Sequence, residues 1–179
     1  QFRRVKQLLE FAYQNSPMYR RIYQAAGMQP GDIKTWDDFV DKVPIVDKKD
    51  VLAAQAEDPP FGASQAAPLE HYFYLFQTSG STGVPMMSPF ALYQATQNGE
   101  QWAYALWGMG MRQTDSVYFA FNWGTFSGFW AAYWGARRIG ATVYTGGGLD
   151  TRQRIEQIMS LRPTVIVATP TYALYMAEV

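Results

Sequence analysis

Three short apolar runs, "SVYFAFN" (116–122), "ATVYT" (141–145) and "TVIVAT" (164–169), are separated by stretches of helical length. This alternation restricts the fold more than any other feature of the chain. Strands that alternate with helices must cross over, and right-handed crossovers give a parallel sheet. Ligands of such sheets sit at the carboxyl ends of the strands. The segments that fall there are the loop 78–85, the turn 122–125, the glycines 146–148 and Thr169-Pro170. A fourth strand candidate, "HYFYLFQ", starts at His71. Helices are expected over 126–139, closed by Gly140, over 151–161, capped by Asp150 or Thr151, and from Pro170 onward.

The first third reads differently. Phe2, Val5, Leu8, Leu9 and Ala12 recur at helical spacing and form one apolar stripe. Ser16-Pro17 reads as a hydroxyl N-cap followed by proline at the first helical position, and Gly27 can end that helix. "TWDDF" and "DKKDV" each place a capping side chain three residues before an acid, so brief helices are expected from Trp36 and Lys48. Residues 57–70, rich in Pro, Ala and Gly, read as a linker. Ser88-Pro89 repeats the cap-plus-proline signal ahead of a long helix carrying Leu92, Ala95, Gly99, Trp102, Ala103 and Leu106 on one side, with Gly108 and Gly110 ending it. The expected division is a helical lead-in and linker over 1–70 and an α/β subdomain over 71–179. The first residue is not methionine and "ALYMAEV" reads as mid-helix, so the chain reads as an excerpt of a longer one.

Composition narrows the partners. Basic and acidic residues are equal in number, 15 each, which gives no general attraction for nucleic acid or an anionic membrane. No apolar run is long enough to span a bilayer. There is no cysteine, which excludes disulfides and zinc–thiolate sites and fits a cytoplasmic location. Homo-oligomerisation is left open.

The stretch "FQTSGSTGVPMMSP" (76–89) carries the chemistry. Thr78, Ser79, Ser81 and Thr82 supply hydroxyls; Gly80 and Gly83 allow positive φ, so successive N–H groups can converge on an anion. Hydroxyl–glycine stretches are also common as plain surface turns. A strand before the loop and a helix after it favour phosphate. The loop is not a Walker loop, which needs a lysine followed by a hydroxyl residue, and it lacks the dinucleotide glycine spacing.

"TSGSTGVP" resembles the phosphate-loop signature of adenylate-forming enzymes. "LLEFAYQNSPMYRRIYQAAGMQPGDIKTWDDFVDKVPIVDKKDV", "FNWGTFSGFWAAYWGARRIGATVYTGGG" and "RPTVIVATPTYAL" resemble the phenylacetate–CoA ligase branch over nearly the whole chain. The resemblance implies an α/β fold: a helical N-terminal lead-in, then part of the parallel, doubly wound sheet of that superfamily's large domain. It implies activation of an aryl or related carboxylic acid with ATP and Mg2+, through an acyl-adenylate, and transfer of the acyl group to coenzyme A. Thr78, Ser79, Gly80, Ser81, Thr82 and Gly83 would hold the β- and γ-phosphates. Phe121, Trp123 and Phe126 match positions that line the acid pocket in that branch. No catalytic residue and no metal ligand is implied in this stretch. The "YG.TE" segment, the ribose-binding aspartate and the lysine of the small C-terminal domain are expected downstream, so these residues alone are expected to be inactive. Met86 and Val84 stand where the family often carries lysine, or threonine in the case of Met86. A degenerate, non-catalytic nucleotide- or acyl-binding module is therefore the alternative.

Other candidates have bland readings beside the functional one. Phe121, Trp123, Phe126 and Phe129 suit core packing as well as a pocket. Asn122 could orient a carboxylate or stabilise a turn. His71, the sole histidine, lacks an acid–base partner in sequence. Gly146–Gly148 fit a close ligand approach or a turn; Arg137-Arg138 fit a helix end; Asp32, Asp37 and Asp38 fit caps.

Overall fold

In the computed structural model, the described residues are 1–78, 80 and 83–179. By internal packing they divide into two compact units, Gln1–Pro89 and Phe90–Val179. Sequence composition placed the change earlier, at 70/71.

The first unit opens with helices α1 (Phe2–Asn15) and α2 (Pro17–Ala25). Leu9, Tyr23, Met28 and Ile33 form their core, with Phe2 and Val5 packed on it. Leu8, expected on the buried stripe, is exposed, because the stripe follows Val5 to Leu9 and leaves Leu8 at its edge. Ser16 sits at the N-cap of α2 but does not cap it. Its hydroxyl, fully buried, donates to the Ala63 carbonyl at 3.2 Å and ties α2 to a segment far along the chain. Helices α3 (Trp36–Lys42) and α4 (Lys48–Glu57) begin with the expected reciprocal caps, Thr35 with Asp38 and Asp47 with Asp50.

The stretch read as a linker is pinned down. Phe61 and Ala63 are buried, and the Phe61 ring meets Tyr72 edge-on at 5.7 Å. The Ala66 and Ala67 amides donate to the Tyr72 hydroxyl at 3.3 and 3.0 Å. Gly62 has φ 48°, and a Cβ there would lie 2.0 Å from the Ala54 carbonyl oxygen. At Gly62 the small residue reflects close packing against α4, where a side chain would not fit.

Strand β1 (Tyr72–Gln77) forms as expected, but it pairs with β2 (Met87–Ala91) in a separate two-stranded sheet. The sequence signal at Ser88-Pro89 is that of a helix start, and the structure places a strand there. Proline favours extended backbone in the residue before it and is tolerated on edge strands, so the same two residues suit β2. Helix α5 (Leu92–Gly108) begins only after Ala91, whose amide donates to the Gln94 side-chain oxygen at 2.8 Å.

The second unit holds β3 (Ser116–Phe119), α6 (Ser127–Ile139), β4 (Thr142–Thr145), α7 (Thr151–Leu161), β5 (Val165–Val167) and α8 (Pro170–Glu178). The strands form a parallel sheet of order β4-β3-β5. Neighbouring β3 residues point to opposite faces. Val117 and Phe119 pack with Leu106 of α5 and Ala132 and Ala136 of α6. Tyr118, on the other face, donates from its hydroxyl to Gln157 of α7 at 2.9 Å. Helices thus cover both faces, as a doubly wound sheet requires. Backbone bonds from Ala120 to Val167 (2.9 Å) and from Gly146 to Phe119 (3.0 Å) extend the ladders to the strand ends.

Candidate functional site

The site candidates lie in two places, one in each unit. In the first unit the hydroxyl–glycine loop joins β1 to β2. Ser79, Ser81 and Thr82 lie outside the described residues. The rest of the loop has a defined frame. The Thr78 amide donates to the Met86 carbonyl at 3.1 Å, and the Met86 amide donates to the Thr78 hydroxyl oxygen at 3.0 Å. These two bonds close the neck of the loop. Inside it, Gly80 and Gly83 take φ 64° and 99°, and the Gly83 amide donates to the Gly80 carbonyl at 2.6 Å. Gly80 also lies against Pro85, where a Cβ would meet the proline nitrogen at 3.3 Å. Thr78 accepts through its oxygen, so its hydroxyl proton is still available to a ligand.

The exit of the loop is held from α4. Gln55, buried, donates to the Met87 carbonyl at 2.8 Å and accepts from the Met87 amide at 3.1 Å. Its carboxamide therefore pairs with Met87 as a neighbouring strand would. Gln77 adds a bond from its side-chain nitrogen to the Met87 sulfur at 3.2 Å. Met87 is thus an anchor of the loop. The Met86 side chain, by contrast, contributes no charge beside it.

In the second unit the carboxyl ends of β3, β4 and β5 converge on aromatic and polar groups. Phe121 and Phe129 stack at 4.3 Å between ring centres, and Phe126 meets Phe129 edge-on at 5.3 Å. Trp123 lies 4.9 Å from Trp130 and 5.4 Å from Tyr133. Phe121 and Trp123 are partly buried and also pack on the core cluster, while Phe126 is 54% exposed. Phe126 is therefore the most accessible ring of the three singled out from sequence. The Trp130 indole donates to the Gly124 carbonyl at 2.9 Å and braces the turn.

The glycines after β4 make room for the protein's own side chains. A Cβ on Gly146 would lie 2.6 Å from the Tyr118 hydroxyl, and one on Gly147 would lie 2.6 Å from Cδ1 of Trp123.

Sequence reasoning missed Arg154. It is only 7% exposed, on α7. Its Nε donates to the Gly146 carbonyl at 2.9 Å, Nη1 to the Tyr172 hydroxyl at 2.8 Å and Nη2 to Oδ1 of Asn122 at 2.6 Å. One guanidinium thus ties together the segments that follow β3, β4 and β5. No carboxylate forms an ion pair with it among the described residues. Burial raises the pKa of the nearby Tyr118 phenol, partly offset by the Arg154 charge. The one available signal was that Arg154 lies one helical turn before the half-buried Ile158 on α7, a weak cue because arginine usually lies on solvated faces.

The remaining candidates take their bland readings. His71 ends a short 3-10 turn and is exposed. Arg138 pairs with Glu100 at 3.5 Å, and Arg137 lies over the Tyr133 ring. Asp32 and Asp38 cap helical turns. Among the described residues, no three His, Cys, Asp or Glu side chains converge as a metal site would require. No helix among them is long and apolar enough to cross a membrane.

Comparison with known proteins places this architecture. No family model matches the chain. Phenylacetate–coenzyme A ligase of Escherichia coli (strain K12) is 34% identical over 183 residues, covering 99% of this chain and 39% of the relative. The ligase of the same name from Aromatoleum evansii is 32% identical, with the same coverage. A crystal structure of 2-hydroxyisobutyryl-CoA ligase, in complex with 2-HIB-AMP and CoA, superposes with a TM-score of 0.92 at 32% identity, covering 99% of this chain and 38% of that one. The chain therefore spans about two-fifths of the length of the relatives it matches.

Proposed function

The chain belongs with the phenylacetate–CoA ligases among the adenylate-forming enzymes, and on that premise we propose that the whole protein is an AMP-forming carboxylate–CoA ligase. A carboxylate oxygen attacks the α-phosphorus of ATP and pyrophosphate leaves. The thiol of coenzyme A then attacks the acyl carbon and displaces AMP. The acid is aryl or a related small carboxylic acid, and the site is small-molecule chemistry throughout.

The observation that carries this reading is the clasped loop. Its two ends are fixed by the Thr78–Met86 pair, and both described glycines inside it are left-handed. Preset backbone of this kind favours anion binding because little ordering is left to be done when the ligand arrives. Thr78, Ser79, Gly80, Ser81, Thr82 and Gly83 are assigned to the β- and γ-phosphates of ATP. Phe121, Trp123 and Phe126 are assigned to the apolar wall of the acid site, since small-ligand sites are mostly apolar with few polar groups. Magnesium would accompany ATP, held chiefly by the phosphates and water.

The test is carboxylate-dependent exchange of radiolabelled pyrophosphate into ATP by the full-length protein, over phenylacetate, 2-hydroxyisobutyrate and a panel of aryl acids. Exchange with at least one acid is expected. Nucleotide binding without exchange for any acid would favour the non-catalytic module, the reading that the uncharged Met86 side chain supports.

A further inference from the structure

Asn122 follows β3 and is exposed, yet its carboxamide is not free to turn. The Gly148 amide donates to its Oδ1 at 3.1 Å, and Nη2 of Arg154 donates to the same oxygen at 2.6 Å. Both neighbours are donors only, so the oxygen must face them and the NH2 must face away. That NH2 has no partner among the described residues. Arg154 in turn cannot move aside, because its other bonds go to Gly146 and Tyr172 and it is buried.

The result is a fixed, unoccupied pair of N–H donors at the carboxyl end of the central strand of the sheet. They sit beside a buried cation, Arg154, that no carboxylate pairs with among the described residues. A donor held rigid before its acceptor arrives, beside a buried arginine that forms no ion pair among the described residues, is what recognition of a carboxylate needs. We propose that Asn122 contacts the substrate directly and that its NH2 takes a carboxylate oxygen of the acid. The assignment rests on the ligase reading above for the identity of the acid as substrate.

Asn122→Asp separates this role from a purely structural one. Aspartate keeps an oxygen for Gly148 and Arg154 and gives Arg154 a counter-charge, but it removes the donor and repels a carboxylate. The full-length wild type, N122D and N122A are titrated with phenylacetate and 2-hydroxyisobutyrate. Readouts are tryptophan fluorescence for binding, pyrophosphate exchange for KM and kcat, and thermal melting. N122D is expected to melt no lower than wild type while its acid Kd and KM rise about tenfold or more, the scale of one hydrogen bond to a charged group. Its kcat changes less. Acid affinity equal to wild type in N122D would overturn the proposal. If N122D does not fold, N122A decides in the same way. Wild type that binds acid without exchange would sink the ligase reading while leaving Asn122 to be judged by binding alone. Wild type that binds neither acid would overturn the Asn122 assignment itself.

Discussion

Met86 joins the loop frame through its backbone alone: its amide and carbonyl both pair with Thr78. A side-chain substitution there leaves both bonds in place, so it tests the loop without dismantling it. Met86→Lys adds a cation beside the proposed phosphate site. A charge-assisted hydrogen bond is worth about 1.5–3 kcal/mol, so KM for ATP should fall roughly tenfold or more at low salt. Exchange kinetics of the full-length protein against ATP concentration check this, and an unchanged KM would remove Thr78–Gly83 from the phosphate role. At this scale the sequence was legible where a residue type has one dominant use. Thr35, Asp47 and Asp150 cap helices as their spacing implied. Ser16 and Arg154 were not legible, since a serine before proline reads as a cap and an arginine in a helix reads as solvated. Their true partners, Ala63 for Ser16 and Asn122, Gly146 and Tyr172 for Arg154, come from other parts of the chain.

At the scale of elements, α5 and α6 meet through glycines. A Cβ on Gly135 would lie 2.6 Å from Cβ of Trp102 and 2.9 Å from its carbonyl carbon, and one on Gly99 would lie 3.1 Å from Cβ of Trp134. Alanine normally favours a helix over glycine by up to about 1 kcal/mol. Here backbone atoms stand in the way and the helices must separate. Gly135→Ala is therefore expected to destabilise by roughly 1–3 kcal/mol, the usual cost of overpacking, and to lower the melting temperature. A variant that melts at or above wild type would show that the two helices yield. The helices of the second unit, and the strands β3, β4 and β5, were readable because period and breakers agree along them. β2 was not, because five residues with proline among them carry too little pattern to separate an edge strand from a helix start. What settles it is pairing with β1 and with Gln55. Gln55→Leu keeps the size and loses both bonds to Met87. It should cost about 1–3 kcal/mol, because the Met87 groups lose partners at a partly buried site. Urea denaturation measures it, and an unchanged midpoint would mean that β2 holds the loop exit unaided.

Across the whole molecule, the alternation of strands and helices made the α/β class legible, while the arrangement of acids could be known only from coordinates. Three carboxylates titrate below their ordinary range. Asp38 is held far down by its hydrogen bond to Lys42, then by the Lys34 amide and the Thr35 hydroxyl. Glu57 is lowered by its two-bond pairing with Arg21. Asp115 is lowered by the Arg112 amide and then by the Thr164 hydroxyl, the latter clasping the start of β3 to the start of β5. In each case the folded form releases its proton more readily than the unfolded chain. The stability they contribute is therefore fully present above the unfolded values, near pH 4, and is lost as pH falls through the folded ones. The melting temperature should stay nearly level from about pH 7 to 5 with respect to these groups and drop below about pH 4. Asp115→Asn cannot titrate, and it keeps one acceptor oxygen, for the Arg112 amide, where the carboxylate serves Arg112 with one oxygen and Thr164 with the other. It should melt lower than wild type at neutral pH, where the ionised carboxylate accepts more strongly, and the gap should narrow as the pH falls. Thermal melts of both proteins across this range test it. A gap between the two curves that stays constant down through the acid limb would show that Asp115 contributes no pH-dependent stability.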